Sequence, residues 1–271
     1  MPANSTGDRR PIGVFDSGIG GLTVVSALRR RLPNESIFYL GDTARVPYGG
    51  KSPATVQRYS LEIATLLLGE NAKTIVVACN TASSLALPEL EAGVPVKVTG
   101  VIRPGAEAAI AATRNGHIGV IGTRATIKSG AYERALLALN PAIRVTARAC
   151  PLLVPLIEEG RLESSITDAV LMEYLQPLLD DDIDTLVLGC THYPLLRPAI
   201  ARLLGDAVKL VDAAENCANA VAQLLAQEQL DAPRDGAGRL QVALTDPADS
   251  FLEIAREALQ LDVAETQLRA L

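Results

Sequence analysis

The chain has no tryptophan, three phenylalanines and six tyrosines, so aromatic residues make up only 3% of it. Proteins that hold single-stranded nucleic acid stack bases on aromatic side chains, and this sequence cannot supply such a platform. Positive charge is also scarce. Twenty-five Lys and Arg stand against 31 Asp and Glu, a net charge of −6, with no basic cluster to meet a phosphate backbone. Nucleic acid is therefore excluded as a partner. No apolar run approaches the ~18 residues of a membrane span, so no membrane association is expected. The first ten residues are polar and lack the apolar core of a signal peptide.

Several cofactor signatures are missing too. Only His117 and His192 are present, Cys-x-x-Cys does not occur, and the one-residue gap between Cys190 and His192 matches no usual zinc spacing; no metal is expected. In the glycine-rich stretch Gly18–Gly21, the third glycine of a dinucleotide fingerprint would fall at position 23, which is Thr23. A Walker-type phosphate loop is absent. None of the five lysines (51, 73, 97, 128, 209) sits in a loop suited to carry a Schiff base, so no pyridoxal phosphate and no other cofactor is expected.

What remains is apolar and periodic. Hydrophobic residues are 48% of the chain and charged ones 21%, the balance of a folded globular protein. Continuous Val- and Ile-rich runs predict strands at 11–15, 36–40, 73–78, 96–101, 117–121, 143–149, 185–189, 208–211 and 240–244. Such unbroken runs are how strands buried on both faces look. Helical patterns separate them at 22–31, 53–68, 82–90, 104–113, 130–139, 162–179, 195–204 and 213–225. Regular alternation of this kind predicts an α/β fold with mainly parallel sheets flanked by helices.

Two segments echo each other. KTIVVACNTAS (73–83) and DTLVLGCTHYP (184–194) each run from an apolar strand into a small residue, a cysteine and polar groups. The spacing, 190 − 79 = 111 residues, is about one domain length. IGVFDS (12–17) and IGVIGT (118–123) echo more weakly, placing Ser17 and Thr123 in matching positions. Strand ends in any α/β protein share such features. The sharper expectation is two related halves, with a ligand cleft at the carboxyl ends of their strands.

Cys79 and Cys190 fall at those ends. A lone cysteine after a buried strand is usually a small core hydrophobe. Two in matched contexts, each before polar groups that would cap a helix, point to thiols whose ionisation is helped by free amides. Cys150, before a proline, and Cys217, inside a helical pattern, are expected to be structural. Four cysteines in apolar segments fit a reducing, cytoplasmic setting. Asp16 could cap a helix or act as a carboxylate at a reacting group. Pro47, Tyr48 and Gly49 form part of a turn-rich loop. The pair Glu158–Glu159 reads as an exposed helix end.

Five stretches together resemble the glutamate racemases of the aspartate/glutamate racemase superfamily: PIGVFDSGIGGLTV (11–24), YLGDTARVPYG (39–49), VVACNTAS (76–83), CPLLVPLIEEG (150–160) and LVLGCTHYPLL (186–196). They run in the family's order from about residue 11 to 212. The resemblance implies cofactor-independent racemisation of L-glutamate to D-glutamate for peptidoglycan, with Cys79 and Cys190 as the two acid/bases. Asp16 and His192 would assist the thiols, and Glu158 would stand beside His192. Asp16, Ser17, Pro47, Tyr48, Gly49, Asn80, Thr81, Thr123, Thr191 and His192 would hold the substrate. It also implies a homodimer, one domain from 1–101 with 212–271, and a second from 102–211. The ten-residue lead before Pro11 lacks the longer extension that some relatives use for activation by a cell-wall precursor, which speaks against such activation. Outside the resemblance, a racemase of aspartate or hydantoin, a non-catalytic binder of small anions and a Cys–His thiol hydrolase stay open.

Overall fold

The computed structural model describes residues 7–18, 20–248, 261, 263 and 266–271. Parts of the N-terminal lead and of the 212–271 segment, and Ile19 within the glycine-rich stretch, lie outside the described residues.

Among the described residues, the strands form two parallel sheets. The larger has the order β10-β9-β2-β1-β3-β4 and the smaller β6-β5-β7-β8. The first comprises β1 (Ile12–Asp16), β2 (Ile37–Gly41), β3 (Thr74–Val77), β4 (Val98–Gly100), β9 (Leu240–Leu244) and β10 (Thr266–Leu268). The second comprises β5 (His117–Gly122), β6 (Arg144–Ala149), β7 (Thr185–Gly189) and β8 (Lys209–Val211). Every residue of β1, β2, β3, β5 and β7 is buried, which their unbroken apolar sequences require.

The helices cover these sheets as crossovers: α1 (Leu22–Arg31), α2 (Pro53–Gly69), α3 (Asn80–Leu85), α4 (Leu87–Gly93), α5 (Ile102–Ala112), α6 (Arg124–Ser129), α7 (Ala131–Leu139), α8 (Leu153–Glu158), α9 (Ser165–Leu179), α10 (Arg197–Leu204) and α11 (Ala214–Glu228). In α1 the residues Leu22, Val24, Val25 and Leu28 face the core, and three arginines end the helix where its dipole is negative. Those arginines also reach distant segments. Arg29 donates to the Gly238 carbonyl at 2.6 Å, Arg30 pairs with Glu215 at 2.5 Å, and Arg31 donates to Asn219 at 2.8 Å. A buried pair, Lys73 with Glu35 at 2.6 Å, ties the start of β3 to the loop before β2. Lys73 also donates to the carbonyls of Asp8 and Leu230, so the buried ammonium does not rest on the carboxylate alone. One apolar cluster joins Val14, Val24 and Val76 of the first sheet's surroundings to Val101, Ile121 and Leu188 of the second's.

Five local expectations need correction. The helix expected at 82–90 starts at Asn80 and breaks at Ala86, because Pro88 in the first turn of α4 has no N–H to continue α3. The helix expected from 162 starts at Ser165, where the Ser164 hydroxyl caps the Thr167 amide. Two short helices, α6 and α8, have no counterpart among the expected elements; α6 is bounded by a Thr123 cap and by Gly130 at φ +64°. Strand β6 is a half-exposed edge rather than a buried run, and Arg144, Thr146 and Arg148 alternate along it. The three-residue strand β10 has no signal in the sequence at all.

Registers set the functional end of the molecule. Asp16 of β1 pairs with Gly41 of β2, and Gly122 of β5 pairs with Gly189 of β7. The carboxyl ends within each sheet are therefore level, and Cys79 and Cys190 each stand just beyond one.

Candidate active site

Cys79 is the N-cap of α3: its sulfur accepts from the Ala82 amide at 3.5 Å and lies 3.6 Å from the Ser17 hydroxyl, to which it donates. Only 4% of the residue is exposed. An amide at this position favours the thiolate, and its pull is present. Burial outweighs it, the Asp16 carboxylate adds to burial, and the thiol is pushed up to about 12.

Cys190 has a different setting, which corrects the expectation of matched helix caps. After it the chain makes a turn, and the next element is a 3-10 turn at Tyr193–Leu196 capped by His192. Pro194 at its start prevents the bond that would extend a helix back to the cysteine. The partner of the Cys190 sulfur is instead His192 Nδ1, at 3.9 Å. The other ring nitrogen, Nε2, is 3.3 Å from Glu158 Oε1. Burial alone would push the imidazole down. The contacts with Cys190 and Glu158, and the nearby Asp16 charge, reverse this and hold it up at about 10.

Asp16 lies between these groups and is fully buried. It accepts from the Gly18 amide at 3.0 Å and from the Thr191 hydroxyl at 3.2 Å. Burial raises its pKa, while His192, the loop amides and Thr191 oppose the rise. It is not the cap of α1, since Gly21 takes that position. A side chain at Gly20 has no room, because a Cβ there would come within 2.6 Å of both His192 Nδ1 and Thr191 Oγ1.

One cavity of about 20 Å³ gathers both sulfurs with Ser17, Pro47, Tyr48, Gly49, Asn80, Thr81, Thr123, Thr191 and His192. Of the residues singled out in the sequence, only Asp16 and Glu158 stand outside its lining, one beneath Thr191 and one behind His192. Two lining residues, Val46 and Val154, carry no chemical signal in the sequence. The space suits a water-sized guest, so a larger ligand requires the walls to part.

Several supports also escape a reading of the sequence. Tyr132 donates its hydroxyl to Asn80 Oδ1 at 2.7 Å, which turns the Asn80 side-chain N–H groups elsewhere. Thr81, Thr123 and Thr126 form a hydroxyl cluster with separations of 2.9, 3.0 and 3.2 Å. Asp42 accepts from the Tyr48 hydroxyl, from Arg45 at 2.7 Å and from Thr245 at 2.9 Å, fixing the loop that carries Tyr48 and Gly49. Asp42 stands in one of the five family-like stretches but reads locally as turn chemistry; the links of Asn80 to Tyr132 and of Thr81 to Thr123 and Thr126 span 40 residues or more and leave no local signal. Cys150 and Cys217 are fully buried, and all four cysteines are free thiols. Among the described residues, no group of three or more His, Cys, Asp or Glu is placed to hold a metal.

The chain has known counterparts. A family model described as Asp/Glu/Hydantoin racemase matches residues 21–221. A glutamate racemase from Geobacter metallireducens is 48% identical over 250 residues, covering 92% of this chain and 93% of the relative. The crystal structure of a glutamate racemase isoform from Bacillus anthracis superposes with a TM-score of 0.91 at 39% identity, covering 97% of this chain and 98% of that one. A Francisella tularensis glutamate racemase, solved in complex with D-glutamate, gives 0.90 at 38% identity, with the same coverage of 97% and 98%.

Proposed function

The chain belongs to the Asp/Glu/Hydantoin racemase family, and from that membership we infer that it is an isomerase that interconverts L- and D-glutamate. We propose that Cys79 and Cys190 are its acid/base pair. The observation that carries this proposal is that two buried sulfurs line one cavity with unlike partners, a carboxylate and hydroxyl near one and a cationic imidazole beside the other.

Inverting a carbon centre by proton exchange needs a base on one face and an acid on the other. In the L to D direction Cys190, as thiolate, takes the α-proton, and the electron pair left behind spreads into the substrate carboxylate. Cys79, as thiol, then gives its proton to the opposite face of the α-carbon. The D to L direction reverses the roles. The His192 imidazolium supplies the counter-charge for a thiolate at Cys190, and Glu158 supplies one for the imidazolium. The high pKa of Cys79 keeps it protonated until the carbanion forms.

The carbanionic transition state needs fixed donors on the substrate carboxylate in a closed space. Ser17, Asn80, Thr81, Thr123, Thr191 and the Pro47–Tyr48–Gly49 backbone are suited to hold the carboxylate and amino groups. Each step uses only groups of this chain, so no cofactor takes part. We further assign 1–101 with 212–271, and 102–211, as the two bodies that part to admit substrate. D-glutamate would serve peptidoglycan assembly in the cytoplasm, and the working form would be a homodimer.

The test is incubation of purified protein with L- and with D-glutamate in D₂O. Loss of optical activity from both sides, with deuterium appearing chiefly in the product enantiomer, is the expected result. Turnover of aspartate or a hydantoin but not glutamate would move the substrate and keep the mechanism. Deuterium entering recovered substrate as fast as product would overturn the two-thiol assignment.

A further inference from the structure

Beside the sulfur-lined cavity lies a second, far larger one of about 610 Å³, which the reaction as described leaves unused. Gly49 lines both. The larger cavity is walled by Lys51 and Ser52 at the start of α2, by Leu85 at the end of α3, and by Arg124, Lys128 and Ser129 of α6. Three of these are cations, and no residue of the lining is acidic. Elsewhere some cations meet carboxylates, as Arg45 and Arg58 do at Glu62 and Arg103 at Glu107, while others, such as Arg29 and Arg31, meet neutral acceptors. Among the described residues, Lys51, Arg124 and Lys128 make no such ion pair. The Lys51 ammonium lies 6.0 Å from the Tyr59 ring.

Three unpaired like charges around one hollow repel each other, and a bound anion removes that cost. The positive end of the 17-residue helix α2 opens there as well, since Ser52 and Pro53 are lining residues. The volume is in the range of small-molecule sites, whereas the inner cavity of about 20 Å³ cannot hold an amino acid until its walls part. The walls between the two spaces are continuous: Lys51 lies two residues beyond Gly49, and Arg124 is next in the chain to Thr123, which packs against Gly49.

We propose that this cavity is an outer binding site for a dicarboxylate, in which Lys51, Arg124 and Lys128 collect the substrate's carboxylates before it passes Gly49 to reach the sulfurs. The proposal rests on glutamate being the substrate. A cationic funnel at a cleft raises the local concentration of an anion and its rate of capture, and salt screens the effect.

The experiment replaces the three cations together (Lys51→Gln, Arg124→Gln, Lys128→Gln). All three side chains are at least partly exposed, and none touches the sulfur-lined cavity. At an ionic strength of about 0.01 M, kcat/KM for glutamate should fall about tenfold with kcat unchanged, and the gap should close near 0.15 M. An unchanged kcat/KM, or a deficit equal at both ionic strengths, would overturn the outer site. Calorimetric titration with glutarate, a dicarboxylate that cannot be racemised, gives a readout free of turnover. Binding by the native protein that weakens in the triple variant supports the site, and equal binding by both overturns it. Should glutamate not turn over at all while glutarate binding still depends on the three charges, the racemase assignment falls and the outer dicarboxylate site stands.

Discussion

Cys79 and Cys190 stand at corresponding strand ends, yet their surroundings are electrostatic opposites. Cys79 caps a helix beside a buried carboxylate and a hydroxyl, and burial with that carboxylate pushes its thiol up to about 12. Cys190 has no helix to cap, and its neighbour is a buried imidazole held up at about 10 with a glutamate behind it. Two like cysteines in one cavity would compete if both ionised, because like charges a short distance apart disfavour each other. Under the proposed mechanism, the carboxylate near Cys79 and the imidazolium beside Cys190 decide which sulfur carries the single negative charge. Repetition of a strand–cysteine segment places two sulfurs on one cavity, and divergence of the residues on the carboxyl side of each cysteine gives them unlike partners.

The largest effect should come from removing either side of the pair. Cys79→Ser and Cys190→Ser should each lower racemisation by about 10²–10⁴-fold, the usual worth of a positioned acid or base. The comparison sharpens if exchange is measured separately for each enantiomer. Cys190→Ser retains the group that deprotonates D-glutamate, so it should exchange the α-proton of that enantiomer more readily than of L-glutamate; Cys79→Ser should show the reverse. Equal exchange of both enantiomers in either variant would break the assignment of faces.

Next come substitutions that push on one side only. Gly20→Ala would place a methyl within 2.6 Å of His192 Nδ1 and Thr191 Oγ1, on the Cys190 side. Gly49→Ala would place one 2.6 Å from Thr123 Cβ, in the wall between the two cavities. Overpacking costs about 1–3 kcal/mol, which is roughly 5- to 150-fold if all of it falls on the transition state. Gly20→Ala should lower kcat, whereas Gly49→Ala should raise KM, and steady-state kinetics of the two variants separates these outcomes.

The pH dependence of stability is a more gradual effect, at most about tenfold in the folding equilibrium per pH unit. The His192 imidazole titrates near 6.5 when unfolded and near 10 when folded. The folded state therefore holds one more proton across that window, and stability must fall as pH rises through it. The contribution is complete below about 6.5 and gone above about 10, with a limiting slope near 1.4 kcal/mol per pH unit. Chemical denaturation of the native protein and of His192→Asn at several pH values should show that slope lost in the variant. Parallel curves would mean that the imidazole is not held protonated.

How much of this is legible in the sequence depends on how local each cause is. The buried strands are plain because β1, β2, β3, β5 and β7 are apolar on both faces, and both cysteines can be placed at strand ends without coordinates. Edge strands are harder. Arg144, Thr146 and Arg148 carry the alternation of a half-exposed strand, but the apolar residues between them make it look like part of a continuous run. Helix α6 is too short to show a period, though its Thr123 cap and Gly130 stop mark both ends. The unlike settings of the two cysteines turn on Pro194, whose missing N–H leaves a 3-10 turn where a helix is expected. Least legible are the cross-links, such as Tyr132 to Asn80 and Thr81 to Thr123, which join residues 52 and 42 positions apart. Nothing in one segment announces the other.

The smallest effect is also the one most specific to the two-sided site. Enantiomers have equal free energy, so the equilibrium constant of racemisation is unity, and any substitution must change kcat/KM equally in both directions. Rate ratios therefore cannot tell which thiol a variant has damaged. Isotope effects can, because they report which proton transfer limits the rate. His192→Asn removes the partner of the Cys190 sulfur, and Ser17→Ala a partner of the Cys79 sulfur. With His192→Asn the transfer at Cys190 becomes slower, so α-deuterated L-glutamate, whose deuteron Cys190 removes, should show a larger isotope effect than α-deuterated D-glutamate. With Ser17→Ala the order should invert, and by less, since a 3.6 Å contact between sulfur and hydroxyl is weak. Isotope effects on kcat/KM from both enantiomers, in both variants, give a two-by-two comparison. An inversion between variants ties each partner to its own sulfur. The same order in both would mean that His192 and Ser17 act on a single shared step, and the division of the site into two electrostatic halves would have to be abandoned.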